Sequence, residues 1–239
     1  EQTDEMILIS EIPDNVSLGT QELSIRSLSG AITSLELAVI HLTLNELDPE
    51  NGGQEFIELN IGLTASLSLS GYRVALFDGS TADGAVYGTI DLAPEGIETN
   101  EQGLLLIGSE TYEGDAQIHV SGFPELFLSG EHGVAVYQEQ AVTTAADLFS
   151  LENGGLIDAI IYETGASSNS PVLWDLMTCC NLDDPTEGTT GGPVVSEGDT
   201  EVERSELSLE RCTSPPLRRD SSRWSTGANS PLGDNPCFD

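Results

Sequence analysis

The sequence predicts an all-β chain built as an antiparallel sandwich, and three observations predict it. Short apolar runs recur along most of the chain, each rich in Val, Ile, Leu or aromatic residues. Gly, Pro, Asn or Asp bounds each run, as turns between strands require. No stretch carries an apolar stripe of helical period long enough to propose an amphipathic helix. Short strands with frequent turn signals and no intervening helices favour two packed antiparallel sheets.

In chain order, ILISEI (7–12) and ELSIRSL (22–28) place two strands in an N-terminal extension, residues 1–36. LAVIHLTLNEL (37–47) then opens the main domain, residues 37–239, as one long strand. In EFIELNI (55–61), Ile57, Leu59 and Ile61 share one face and Phe56, Glu58 and Asn60 the other, so the first set is expected to meet the core. Leu69-Ser70-Gly71-Tyr72 is a corner before YRVALF (72–77), with Gly71 free to take the positive φ of a tight bend. LLLIG (104–108), GVAVY (133–137) and LIDAIIY (156–162) complete the set. In the last of these, Ile157, Ala159 and Ile161 form the apolar alternation and Asp158 is expected to face water. Two long acidic connections, 78–103 and 163–203, read as loops.

Charge narrows the function. The formal net charge is −34, with 41 acidic residues against seven Arg and no Lys. Such a chain repels nucleic acid, and its own folding carries a repulsive cost that cations relieve. Five Arg (204, 211, 218, 219 and 223) cluster near the C-terminus, where ion pairing with the acidic body is the expected role. The longest apolar candidate for a membrane span, LELAVIHLTL (35–44), is too short to cross a bilayer, so no membrane insertion is expected.

The chain opens on Glu1, which suggests a removed leader or a fragment. Adjacent Cys179 and Cys180 fit zinc spacing poorly, and a bond between neighbours would be strained. Each is therefore expected to pair with one of Cys212 and Cys237, in an order the sequence leaves open. Disulfides imply an oxidising, secretory route, and Asn15-Val16-Ser17 is a glycosylation sequon consistent with it.

LTLNEL, EFIELNI, LSGYRV, VAVY, LIDAIIY, SLERC (208–212) and RWSTGANSPLGDN (223–235), in that order, resemble the lamin tail domain. The resemblance spans about residues 37–236 and implies an immunoglobulin-like β-sandwich. Tyr72 stands where that family usually has Trp, and Ser230-Pro231-Leu232-Gly233 replaces its compact Thr-Pro-Gly turn. No coiled-coil rod, basic import run or C-terminal prenylation Cys is present, so the nuclear filament role does not carry over. The resemblance implies instead the secreted branch of the family, where such domains are binding or structural modules without catalytic residues.

The residues offer little catalytic chemistry. His41 lies inside an apolar strand, His119 and His132 flank Gly-rich turns, and no hydrolase, zinc-protease or nucleotide-binding motif occurs. Calcium, which takes carboxylate and carbonyl oxygens from loops, is the expected ion. DPENGGQE (48–55), DGSTADG (78–84) and NLDDPTEG (181–188) are its candidate loops, through Asp48, Glu50, Asp78, Asp83, Asp183, Asp184 and Glu187. None has full EF-hand spacing, since DGSTADG lacks its fifth-position acid and Thr89 stands where the bidentate Glu belongs. The expectation is thus a secreted, non-enzymatic structural or adhesion module, stabilised by calcium and by exchange of its N-terminal strands. It would self-associate or bind extracellular matrix. An acidic calcium, mineral or glycan-binding module is the alternative, although Trp174 and Trp224 read as packing groups rather than a sugar platform.

Overall fold

A computed structural model describes residues 19–26, 32–49, 53–92, 94, 96–122, 126–138, 141–148, 155–164, 171–178, 194–196, 207–212 and 223–233. The chain divides into two compact units, Glu1–His41 and Leu42–Asp239. In the first, β1 (Gly19–Arg26) and β2 (Ile32–Val39) pair antiparallel, from Gly19 opposite Val39 to Arg26 opposite Ile32. The run expected as one strand over 37–47 is therefore two. Its first residues pair within this hairpin, and its last form β3 (Thr43–Asp48) of the second unit. Continuous apolar character does not record a change of pairing partner. The expected strand at 7–12 lies outside the described residues.

The second unit continues with β4 (Phe56–Asn60), β5 (Tyr72–Asp78), β6 (Ala85–Asp91), β7 (Leu104–Gly108), β8 (Ile118–His119) and β9 (Glu131–Gln138). After β10 (Leu156–Glu163) come a helix α1 (Pro171–Thr178), then β11 (Val194–Ser196), β12 (Leu207–Arg211) and β13 (Trp224–Ala228). One sheet has five strands in the order β11-β10-β9-β5-β6, and the other six in the order β13-β12-β3-β4-β7-β8. The chain is thus mostly β, as expected, but the sheets are mixed rather than wholly antiparallel. β10 pairs β11 and β7 pairs β8 in parallel. A parallel pair needs a crossover, and α1 lies in the one between β10 and β11, inside a stretch read from sequence as loop. At eight residues, with Pro171 at its first position, the helix is too short to show a repeating stripe.

The five-stranded sheet is buried on both faces. Val74, Leu76, Val134, Val136 and Ile160 form one fully covered alternate set. Ala75, Phe77, Ala135, Tyr137, Ala159 and Ile161 form the other, packed against Leu173, Leu176 and Met177 of α1 and against Ala145 and Leu148. The six-stranded sheet contributes Leu47, Ile57, Leu59, Leu105, Ile107 and Leu209, all fully buried. Gly71 takes φ 86° and Tyr72 N donates to Leu69 O (3.1 Å), which forms the expected corner. Because Leu173 is fully buried in the helix-side layer, Leu173→Ala is expected to cost about 2–5 kcal/mol of stability in urea unfolding.

Candidate functional site

The six-stranded sheet carries a row of acids on the face opposite Leu47, Ile57 and Leu209. Its register sets Glu58 of β4 opposite Glu46 of β3, and Glu46 opposite Glu210 of β12. All three are fully buried. A bulge between Leu44 and Glu46 adds Asn45 to β3, and Asn45 Nδ2 donates to Glu58 Oε1 (2.6 Å). Such a bulge re-aims side chains beside it. Ser208 Oγ donates to Glu46 Oε1 (2.5 Å) from the neighbouring strand.

The segment after β13 returns across this row. Ser230 N and Oγ donate to the two oxygens of Glu46 (2.9 and 3.1 Å), and Leu232 N donates to Glu58 Oε2 (2.6 Å). Asn229 Nδ2 donates to Asp48 Oδ2 (2.6 Å). Leu232 holds a positive φ of 60°, a conformation that usually requires local compensation. Glu210 is the exception in the row: both of its carboxylate oxygens are buried without a hydrogen-bond partner. Its carboxylate lies over Gly227, where a Cβ would come within 2.3 Å of it, so the glycine makes room for the acid.

Burial of three neighbouring carboxyls sets their protonation. Desolvation pushes Glu58 up to about 7 against the hydrogen bonds from Asn45 and Leu232, and the charge of Glu46 adds to the rise. Glu210 is pushed up to about 7 by burial and then by Glu46. Burial also raises Glu46, opposed by Ser208 and Ser230. Among the described residues no basic side chain contributes to any of the three, which favours protons as their counter-charge.

On the sheet's other face, Asp158 corrects the sequence reading. It is fully buried rather than solvent-facing, because it shares a face with Ile160 and the five-stranded sheet is covered on both faces. Arg211 Nη2 donates to Asp158 Oδ2 (2.5 Å), with both side chains fully covered. The pair joins β10 of one sheet to β12 of the other. Leu44 N donates to the same Asp158 oxygen (2.8 Å), Arg211 Nε donates to Leu44 O (2.6 Å), and the guanidinium lies 4.7 Å from the ring centre of Trp224. One of the clustered arginines thus pairs with the acidic body as expected, and Trp224 is a packing group.

His132 is buried, and its two ring nitrogens face different partners. Nδ1 accepts from Gly79 N (3.2 Å) and Nε2 donates to Ser129 O (3.0 Å). Nδ1 also lies 3.6 Å from Asp78 Oδ1, so both ring nitrogens are engaged within the fold. His119 is exposed beside Tyr112, and His41 closes the first unit.

Of the seven candidate calcium residues, the structure describes Asp48, Asp78 and Asp83. Asp48 is buried and bonded to Asn229. Asp78 Oδ1 accepts from Ser80 N and Oγ (2.9 and 2.6 Å), which holds its carboxyl below the usual range despite partial burial. Asp83 is exposed. Glu50, Asp183, Asp184, Glu187, Asn15, Cys179, Cys180 and Cys237 lie outside the described residues. Cys212 follows β12, with its Sγ 2.9 Å from Ser225 Oγ. Among the described residues no group of three or more His, Cys, Asp or Glu is arranged to hold a metal ion, and no helix is long and apolar enough to cross a membrane.

Comparison with known proteins adds little. No family model matches the chain, and no curated protein matches it. A solved structure described as a DUF4876 family protein from Bacteroides thetaiotaomicron is similar over 83% of this chain and 70% of its own, at 12% identity and a TM-score of 0.42. That likeness is too slight to place the chain in a family or to assign it an activity.

Sequence reasoning missed the acidic row: it set Glu58 on the face away from the core and assigned Glu46 and Glu210 to no face. A signal was present: Asn-Glu-Leu, Ile-Glu-Leu and Leu-Glu-Arg each set one Glu beside aliphatic residues in strands of the same motif set. Three such glutamates meet only when their strands are neighbours.

Proposed function

We propose that this chain is a secreted, non-enzymatic structural or adhesion module: an immunoglobulin-like sandwich of the lamin-tail kind that associates with copies of itself or with extracellular matrix. The distribution of the motif strands supports the architecture. LTLNEL, EFIELN, SLER and RWSTGA are β3, β4, β12 and β13 of one sheet, and YRVALF, VAVY and LIDAIIY are β5, β9 and β10 of the other. Secretion and two disulfides from Cys179 and Cys180 to Cys212 and Cys237 belong to the same reading.

The observation that carries the assembly reading is the first unit, where, among the described residues, two strands pair with each other and with no other strand. An isolated hairpin is at best marginally stable in water, so a second surface would stabilise it. The edge strand of a neighbouring copy offers unpaired backbone groups for that purpose. Repeated head-to-tail donation builds a fibre unless the rotation closes a ring. Removing residues 1–41 is expected to abolish oligomers in size-exclusion chromatography with light scattering. Oligomers of unchanged mass would refute hairpin donation.

Calcium is the ion we assign to the exposed acidic surface, on the strength of the −34 charge. Millimolar calcium is expected to raise the melting temperature beyond what sodium of matched ionic strength achieves. Equal melting temperatures would remove calcium from the account.

A further inference from the structure

We propose that the buried row Glu58–Glu46–Glu210 is a proton-held latch, which clamps the segment 229–233 onto the six-stranded sheet when protonated and lets it open when the protons leave. The inference stands apart from the assembly reading and concerns the second unit alone. Three strands bring three carboxyls into one cross-strand row, where like charges directly opposite one another are destabilising. Among the described residues, few groups face the row. Asp48 of β3 is the next acid on the same face, Tyr112 and Asp115 lie in the loop after β7, and the segment 229–233 brings only Asn229 and Ser230 side chains and backbone N–H groups. Arg211, the nearest cation in sequence, is turned to the opposite face and engaged by Asp158.

Glu210 is the observation that points to a bound proton. A carboxylate with both oxygens buried and no donor for either is among the least favourable groups a protein interior can hold, whereas the neutral acid is tolerated. Glu46 and Glu58 then connect the row to the latch through Ser230 and Leu232.

The direction of the switch follows. With the segment lifted, water reaches the row and its carboxyls ionise at their ordinary values. Closed, they hold their protons to higher pH, as the rise of Glu58 and Glu210 from 4.5 to about 7 supports. Between those limits the closed form binds protons that the open form has lost. Rising pH therefore favours opening by up to about tenfold per unit for each carboxyl, and above about 7 the effect levels off.

The test uses the whole chain and reads amide hydrogen exchange, corrected for the intrinsic pH dependence, at Ser230 and Leu232. Protection at both is expected to fall at least about a hundredfold between pH 5 and pH 8, while the amides of Val134 and Val136 in β9 keep theirs. In Glu210→Gln the fall becomes shallower by about one proton. Emission from Trp224 in a Trp174→Phe background gives a second reading of β13, and should that variant or Glu210→Gln not fold, the wild-type exchange profile decides alone. Flat protection at Ser230 and Leu232, or a fall shared with β9, overturns the latch. So does recovery of protection at pH 8 on adding calcium, which would make a metal ion rather than protons the counter-charge.

Discussion

Arg211→Met is expected to lower the unfolding free energy by about 3–5 kcal/mol, because it removes the guanidinium that the Asp158 carboxyl faces between two sheets. Both partners are fully buried, so water cannot substitute for the guanidinium. Elsewhere, replacing both members of a buried pair with apolar residues is often neutral. Here the pair also satisfies both backbone groups of Leu44, beside the bulge that aims Asn45 and Glu46. The double variant Arg211→Met/Asp158→Leu would orphan that N–H and C=O, each at about 1–3 kcal/mol. It is therefore expected to stay well below wild type in guanidinium unfolding. Recovery to wild-type stability would show that the pair matters only as a pair of charges.

Glu58→Gln is expected to act in the opposite direction, and only at high pH. The carboxyl's folded value of about 7 lies above its ordinary 4.5. Between these values the folded state holds a proton that the unfolded state has released, so stability falls as pH rises through the window. Below about 4.5 nothing is lost, and above 7 the full cost of about 3 kcal/mol is present. Glutamine keeps the shape of the neutral acid and does not titrate, and the reversible Asn45 amide can accept from it. The variant should match wild type near pH 4 and exceed it by about 2–3 kcal/mol at pH 8. Denaturant midpoints at the two pH values check this, and an equal difference at both would contradict it.

These two sites show how far the sequence was legible. The strand-rich character, the core placement of Ile57, Leu59 and Ile61 and the corner at Gly71 follow from local rules of period and turn, and the structure has them. What local rules do not reach is the partner. Asp158 reads as solvent-facing until Arg211, 53 residues away, is placed across the sheets from it. Glu58 reads as the wet side of a strand until Leu232 closes over it. The helix α1 was too short to register as a period, and the parallel pairings β7–β8 and β10–β11 depend on crossovers that pattern does not specify. The loops chosen for calcium were picked for acid density, and in them one oxygen of Asp48 accepts from Asn229 and one of Asp78 from Ser80.

Self-association of the intact chain is the claim on which the proposed function depends. Static light scattering over a hundredfold range of concentration, at low ionic strength and again with millimolar calcium, measures it directly. The account predicts an average mass that climbs with concentration past that of one chain. A mass fixed at a single chain under every condition would contradict it.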